Sequence, residues 1–301
     1  MPLMVLAALI LGVGVVQPAF LSLYSMRVLA GESAVILLMA IGETVVILLG
    51  GIDLSLAALA SLASVLLAYS LPSLGWLGLL LVLVFVMLAG ALQGVIHAKA
   101  QVPSFIVTLA GMGLWGGIAI TVAHTTVPIN KGYEVVGWLK GSTVGVPHSF
   151  AFALVVLLIM AAAMRWLPLG RYIYAIGLAE PAAIISGIRT TRIKVLAFTL
   201  SGLLAGLTAM VMVARTYGGN PTIANALQLP AIAAVVVGGT AITGGFGGLG
   251  RTLVGALSIT VMRVGIAVMG VDPGYEPVVY GLLVIVAVIL TIDRSQTPIV
   301  K

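Results

Sequence analysis

The stretch GWLGLLLVLVFVMLAGALQGV, residues 75–95, decides the fold class of this chain. It carries no charged side chain, and a helix of about 20 such residues crosses the hydrocarbon core of a bilayer. Similar apolar runs recur along all 301 residues, of which 61% are hydrophobic and 7% are charged. A soluble domain carries about 25% charged residues on average. The sequence therefore predicts an integral membrane protein and excludes a soluble protein with a large core.

Apolar runs between polar, Gly or Pro breaks predict an all-α, polytopic transmembrane bundle of about ten helices, forming one domain over residues 1–301. The predicted spans are 3–17, 33–49, 54–70, 75–95, 105–123, 149–167, 194–214, 229–244, 251–268 and 277–293. The short runs at 54–70 and 229–244 stay open between full spans and re-entrant half-helices. The first run lacks a basic segment and a cleavage site, so we interpret it as an uncleaved helix.

Glycines spaced four residues apart predict where helices approach each other closely. Helix association in lipid relies on small residues, because the hydrophobic effect provides little drive between helices there. The pairs are Gly90/Gly94, Gly113/Gly117 and Gly202/Gly206. They indicate a tightly packed bundle without naming its fold.

The distribution of basic residues predicts the orientation. With the N-terminus in the cytoplasm and alternating spans, the inside loops hold nine basic residues, namely Lys99, Arg165, Arg171, Arg189, Arg192, Lys194, Arg251, Arg294 and Lys301. The outside loops hold five, namely Arg27, Lys131, Lys140, Arg215 and Arg263. Because cytoplasmic loops are enriched in Lys and Arg, both termini are predicted to be cytoplasmic. Residues 124–148 then form an outward loop suited to the membrane surface, and the basic residues 168–193 face the cytoplasm.

Composition and spacing argue against several classes of site, and we predict no catalytic, cofactor or metal site. The chain has no cysteine, and its three histidines lack carboxylates at ligand spacing. The net charge of +6 comes from singly scattered Lys and Arg, which orient helices and do not form a nucleic-acid surface. GFGGLG at 245–250 matches G-x-G-x-x-G but lacks a preceding strand and an acidic residue about 20 positions on. We interpret it as a turn between packed helices.

Acidic residues inside the membrane are candidates for function, because burying a charge in hydrocarbon is unfavourable. Glu43 lies within the second span, where a polar pore and a buried hydrogen bond between helices are both open. Asp53 lies in GGIDLS at 50–55, before the third span. Asp53 or Ser55 is predicted to cap the following helix by accepting backbone N–H bonds, and lining of the solute path is the alternative.

The segment GLAEPAAIISGI at 177–188 is predicted to form a short helix on the cytoplasmic side. Pro181 suits the first turn, Glu180 precedes it near the positive end of the helix dipole, and Ser186-Gly187 ends it. Such an apolar helix between basic residues needs a covering partner protein. A helix that only lies on the membrane surface is the alternative.

Four stretches, in the same order as in the family, resemble the membrane permeases of bacterial ATP-binding-cassette importers for ribose and related monosaccharides, a branch of the family shared with branched-chain amino acid permeases. They are VVILLGGIDLSLAALASLAS at 45–64, AKAQVPSFIVTLAGMGLWGGIAI at 98–120, GLAEPAAIISGIRTTRIKVLAFTLSGLLAGL at 177–207 and LPAIAAVVVGGTAITGGFGGLGRTLVGAL at 229–257. Family members usually begin with a longer charged segment, so a longer native N-terminus stays an open alternative.

The resemblance implies a multi-pass inner-membrane subunit that is not itself an enzyme. Its implied partners are cytoplasmic ATPase subunits, a periplasmic or lipid-anchored substrate-binding protein, membrane lipid, and a second permease copy or paralogue. The implied coupling residues are Gly177, Glu180, Ala182, Ala183, Ser186, Gly187 and Ile188. Candidates for the translocation path are Glu43, Asp53, Ser55, Thr108 and Thr240.

The chain departs from the resembling permeases at three places. It has Gln228-Leu229-Pro230 where they usually read Glu-Leu-Asp, Ala179 in place of an asparagine, and Gly116-Gly117 in place of an arginine in the fifth span. An ion-coupled secondary transporter using Glu43 and Asp53 is the alternative function. The sequence leaves open which sugar is carried and whether the paired permease chains are identical.

Overall fold

The computed structural model describes residues 2–270 and 272–291, and it places a helix within each of the ten predicted apolar segments. The helices are α1 (Pro2–Val16), α2 (Leu23–Leu48), α3 (Leu56–Leu74), α4 (Trp76–Lys99), α5 (Ser104–Val122), α6 (Glu134–Gly137), α7 (His148–Trp166), α8 (Pro168–Ile185), α9 (Thr190–Thr216), α10 (Gln228–Val237), α11 (Leu249–Val268) and α12 (Glu276–Thr291). Arg294, Lys301 and the predicted cytoplasmic C-terminus lie outside the described residues.

Seven of the described helices are long and apolar enough to cross a membrane, namely α2, α3, α4, α5, α7, α9 and α11. The 19 residues of α3 resolve the question at 54–70, because this helix has the length of a full span. At 229–244 the helix covers only ten residues and ends at Val237. Gly239 follows with φ of +86°, a backbone conformation that favours glycine. Of the two alternatives left open at 229–244, the structure therefore has the half-helix, followed by a turn.

The second span is the central helix of the bundle. Every residue of α2 from Ser33 to Leu48 is buried. The helix begins ten residues before the predicted span, because Ser22 accepts a capping bond from the backbone N–H of Ser25 at 3.2 Å. The ten added residues include Ser25, Arg27 and Glu32, and hydropathy alone excluded them from the span.

A close helix contact joins α4 and α9 through two of the predicted glycine pairs. A Cβ on Gly90 would lie 2.2 Å from the carbonyl oxygen of Phe198, and one on Gly202 would lie 2.2 Å from that of Val86. Gly94 and Gly206 extend the same contact to both sides. Gly113 and Gly117 differ, because nothing lies within 4 Å of a Cβ built on either. This third pair is on the outer surface of α5.

The loop at 124–148 folds over one end of the bundle. Val135, Val136 and Leu139 are buried, and the Tyr133 hydroxyl donates to the carbonyl oxygen of Ala214. The all-α prediction needs a small correction here, because Val144 and Gly145, both with positive φ, form a two-residue turn that pairs the residues on either side. The structure has two antiparallel ladders, β1 (Val127–Pro128) with β4 (Gly218–Gly219), and β2 (Ser142–Thr143) with β3 (Val146–Pro147).

The basic residues sort to opposite ends of α9. Gly94, near the end of α4, packs against Val195, so Lys99 lies at the same end as Lys194. At the other end, Lys140 donates to the hydroxyl of Tyr217, directly after α9. This sorting agrees with the alternation of spans used for the predicted orientation.

Candidate functional site

A break at residues 49–55 separates α2 from α3 and carries Asp53. Gly50 makes the turn with φ of +86°. The break is held by α5, because the Ser104 hydroxyl accepts from the N–H of Ile52 at 3.1 Å. Thr108 Oγ1 lies 3.1 Å from the carbonyl oxygen of Ile52 and is buried. The candidate Thr108 therefore positions the break that contains Asp53.

The Asp53 carboxylate is buried and accepts three hydrogen bonds. Its Oδ1 accepts from the backbone N–H of Ser55 at 3.0 Å and from the Ser55 hydroxyl at 2.6 Å. Its Oδ2 accepts from the hydroxyl of Ser201 on α9 at 2.6 Å. Asp53 thus ties the break to α9, and Ser55, the residue before α3, makes no side-chain cap to that helix.

The cap of α3 comes from Gln228, at the start of α10. Its Oε1 accepts from the N–H of Ala57 at 2.9 Å, within the first turn of α3. Its Nε2 donates to Glu43 Oε1 at 2.7 Å and to the carbonyl oxygen of Asp53 at 2.9 Å. Asp53 also accepts a backbone N–H bond here, from Ser55 directly before α3, as predicted, while Gln228 accepts the N–H of Ala57 from across the bundle. Ser55 itself makes no side-chain cap.

Glu43 makes the buried hydrogen bond between helices that the sequence left as one alternative. It is fully buried, and its Oε2 has no hydrogen-bond partner among the described residues. The side-chain amide of Gln93 also has no partner within that part of the chain. A Cβ on Gly111 would lie 2.4 Å from Gln93 Oε1 and 3.2 Å from the Cβ of Ser55. Buried polar atoms are usually paired. The atoms of Glu43 and Gln93 that have no partner within the described residues therefore make this region more polar than the packing of the helices alone requires.

We call the polar side chains around Asp53 the Asp53 cluster, namely Glu43, Asp53, Ser55, Gln93, Thr108, Ser201 and Gln228. Thr240 lies apart from this cluster. It is buried in the turn of residues 238–248 between α10 and α11, which we call the glycine turn. Its hydroxyl accepts from the N–H of Gly248 at 3.3 Å. The structure therefore brings Glu43, Asp53, Ser55 and Thr108 together and places Thr240 in a different element. The helix before the turn, where a dinucleotide fingerprint needs a strand, supports the interpretation of GFGGLG as a turn between helices.

The segment at 177–188 contains the predicted short helix. The backbone of Ala179 is extended, with φ −160° and ψ 92°, and separates the first part of α8 from residues 180–185. Pro181 lies in the first turn of the second part, and Gly187 ends it with φ of +81°. Ile184 and Ile185 are 55% and 88% exposed. We call residues 180–188 the coupling helix, and it presents an apolar surface that no described residue covers.

The candidate coupling residues divide between this surface and the interior. Ala182, Ser186 and Gly187 are exposed, and Ile188 is half-buried. Ala183 is buried, and Glu180 forms an ion pair with Lys194 of α9 at 2.6 Å. Ala183 and Glu180 therefore hold the coupling helix onto the bundle.

Gly177 joins the coupling helix to the break that carries Asp53. A Cβ on Gly177 would lie 2.0 Å from the carbonyl oxygen of Leu48 and 2.5 Å from the N of Gly245. The N–H of Gly245 in turn donates to that Leu48 oxygen at 2.9 Å. Three backbone segments thus meet with no space for a side chain. We call this contact of Gly177, Leu48 and Gly245 the glycine junction.

At the opposite end of α9 lie two adjoining recesses. They have volumes of about 310 and 280 Å³ and share Glu32 and Arg215, which form an ion pair. Arg263 lines the larger recess and Lys140 the smaller one. Along α9, Arg215 is about 30 Å from Lys194 at a rise of about 1.5 Å per residue, so these recesses and the coupling helix lie at opposite ends of the bundle.

Comparison with known proteins assigns this arrangement to a family. Residues 25–288 match the family described as "Branched-chain amino acid transport system / permease component". The chain belongs to this permease family. The permease is therefore a multi-pass membrane protein, in agreement with its seven long apolar helices. No solved structure matches it.

Three relatives show which transporters this permease resembles. It is 34% identical over 306 residues to the ribose import permease protein of Bacillus subtilis (strain 168), covering 98% of this chain and 92% of that one. It is 35% identical over 296 residues to the ribose import permease protein of Escherichia coli (strain K12), covering 96% and 92%. It is 30% identical over 305 residues to the fructose import permease protein of Rhizobium meliloti, covering 95% and 83%.

Sequence reasoning missed three residues of the Asp53 cluster in this permease. Gln228 was noticed only as a departure from the resembling sequences, and Ser201 and Gln93 were not singled out. Uncharged polar residues within apolar helices are the available signal, since such groups usually form hydrogen bonds across helices. That signal does not name the partner, because Gln228 and Glu43 are 185 residues apart.

Proposed function

We propose that this chain is the permease subunit of an ATP-binding-cassette importer that carries a monosaccharide or similar polyol across the bacterial inner membrane into the cytoplasm. The observation that carries the proposal is the coupling helix, with Ile184 and Ile185 exposed at one end of a membrane-spanning bundle. The ribose and fructose import permeases named above support the choice of substrate class.

The coupling helix is suited to a groove on a separate ATPase subunit. Its exposed face is apolar, and Arg189 and Arg171 are exposed nearby. An apolar helix in a groove is a common mode of protein recognition, and the exposed isoleucines supply its anchors. ATP hydrolysis is then the task of the partner. Closure of the ATPases would shift the permease between inward-open and outward-open arrangements.

The glycine junction supports a route from the ATPase to the solute path. It connects the start of the coupling segment directly to Leu48, the last residue of α2 before the break. A displacement of the coupling helix therefore acts on the backbone next to Asp53. We propose Glu43, Asp53, Ser55 and Thr108 as residues of the path in a rearranged state, since all four are buried in this single chain. Thr240 is proposed to act from the glycine turn.

The recesses at the other end are suited to receive the solute. Ligand pockets typically have volumes of about 300–1,000 Å³ with a few placed polar groups, and the larger recess reaches the lower limit. Glu32, Arg215 and Arg263 offer a carboxylate acceptor and guanidinium donors, which match the hydroxyl groups of a polyol. A periplasmic or lipid-anchored binding protein would deliver the solute at this end. A second permease copy or paralogue would complete the path, with lipid around both chains.

Reconstituted transport tests the proposal. The permease is placed in proteoliposomes with a sugar-importer ATPase subunit of the same organism inside, a sugar-binding protein of that organism outside, and labelled ribose or fructose as the probe. We expect uptake that requires internal ATP. Ile185→Asp should reduce uptake about tenfold or more, because a charge facing an apolar groove is strongly unfavourable.

The matched control is Ile185→Leu, which keeps an apolar side chain of the same size at the same exposed position. This variant should transport normally. Uptake that continues without ATP and is abolished by a protonophore would contradict the proposal and support an ion-coupled secondary transporter.

A further inference from the structure

The glycine turn presents one aromatic side chain, Phe246, on the surface. Gly244, Gly245, Gly247 and Gly248, which flank it, all have positive φ angles, between +72° and +154°. Phe246 itself is 60% exposed, and its carbonyl oxygen accepts from the N–H of Ala241 at 2.9 Å. A closely hydrogen-bonded turn of glycines thus holds an apolar ring outward. Neither the packing of the bundle nor the path explains this exposure.

The turn is fastened to the helix that leads into the coupling helix. The Tyr174 hydroxyl of α8 donates to the carbonyl oxygen of Gly247 at 3.1 Å. A Cβ on Gly245 would lie 2.7 Å from the side chain of Leu178, which is itself 72% exposed. Phe246 therefore lies next to an exposed leucine that directly precedes the coupling helix. A partner protein that covers Ile185 and extends back along α8 would also contact the Phe246 ring.

The charges around this surface indicate the chemistry of the partner protein. The Arg251 guanidinium carbon lies 5.0 Å from the centre of the Phe246 ring, and Arg251 is exposed. Arg171 and Arg189 are exposed on the neighbouring segments. The apolar patch is therefore bordered by cations. A partner that fits it has an apolar groove with carboxylates along its rim.

We propose that Phe246 is a second docking element for the ATPase subunit, which would cover one continuous surface formed by Leu178, Ile184, Ile185 and Phe246. This inference rests on the proposed function and extends the ATPase interface from the coupling helix to the glycine turn. The turn also contains Gly245 of the glycine junction. An ATPase that binds both Phe246 and the coupling helix would therefore contact two of the three segments that meet at that junction.

Site-directed photo-crosslinking tests this inference, because the native chain has no cysteine and a single introduced one is labelled uniquely. The variants are Phe246→Cys, Ile185→Cys and Val144→Cys, each carrying a benzophenone maleimide. Each is reconstituted in lipid nanodiscs with the ATPase subunit used in the transport assay, and the adducts are identified by mass spectrometry. All three residues are exposed, so folding should be retained, and melting temperatures check this.

We expect ATPase adducts from positions 246 and 185 and none from position 144. ATPase adducts from 185 with only phospholipid adducts, or none, from 246 would overturn the docking role of Phe246 and leave the proposed function intact. The absence of ATPase adducts at both 185 and 246 would overturn both. Phe246→Leu should keep at least half of the native ATP-dependent uptake, and Phe246→Asp should lose about tenfold, as for a charge placed against an apolar groove.

Discussion

Replacing Gly177 by alanine tests the glycine junction with a single added carbon. That carbon would lie 2.0 Å from the carbonyl oxygen of Leu48, about 1.4 Å closer than ordinary contact allows. Both nearest atoms belong to the backbone and cannot rotate away. Overpacking of this kind costs about 1–3 kcal/mol. Separation of the segments also breaks the bond from Gly245 to Leu48, and a hydrogen bond in a membrane protein contributes about 0.6 kcal/mol.

The higher helix propensity of alanine offsets up to about 1 kcal/mol of this loss. The net loss in the free energy of unfolding is therefore about 1–3 kcal/mol, which lowers the melting temperature by about 2–10 °C. The assay is thermal unfolding of the detergent-solubilised protein followed by tryptophan fluorescence, together with ATP-dependent uptake. We expect uptake to fall as well, because the junction joins the coupling segment to the break.

Gly117→Ala is the matched control. It adds the same carbon to a helix at a position where nothing lies within 4 Å, so stability should stay unchanged or rise by up to about 1 kcal/mol. If Gly177→Ala melted and transported like the native protein, the close approach at the junction and its role in coupling would both be refuted.

Three further substitutions probe the buried contacts by thermal unfolding in the same detergent. Gln228→Leu removes the hydrogen bonds to Ala57, Glu43 and Asp53 and should lower stability by about 1–3 kcal/mol, and a native melting temperature would contradict its capping role. Ser201→Ala removes the only donor to Asp53 Oδ2 among the described residues and should cost about 1–2 kcal/mol, with Ser201→Thr expected to restore part of it. Lys194→Met breaks the pair with Glu180, which is 38% exposed, so the loss should stay below about 1 kcal/mol. A larger loss would mean that this pair holds the coupling helix more strongly than a surface ion pair does.

Local features of the fold were predictable because they depend on neighbours in sequence. Hydropathy located a helix in all ten apolar segments, and Pro181 with Ser186-Gly187 located the start and end of the coupling helix. The glycine pairs on α4 and α9 marked a real close contact. The third pair on α5 did not, since glycine spacing shows where close approach is possible and not which helix is opposite.

The polar start of α2 and the end of α10 show where hydropathy fails. Ser22 begins α2 by capping, and backbone geometry at Gly239 stops the chain from continuing the eighth segment as a helix. Hydropathy averages over such residues, so the first helix was predicted too short and the second too long. The sequence also did not show which side chains of the coupling helix are exposed. Ile185 is exposed, whereas Ala183, two positions earlier, is buried.

The sequence by itself determined the membrane class, the family resemblance, and the buried acidic residues Glu43 and Asp53, because composition and local spacing carry that information. Only the tertiary structure decided their partners. Gln228 reaches Glu43 and the N-terminus of α3 across the bundle, and Ser201 reaches Asp53 from α9. It also decided that Gly177 meets Leu48 and Gly245 at the backbone. The physical reason is that hydrogen bonds and close contacts between helices depend on how the helices pack, which no local run of residues specifies.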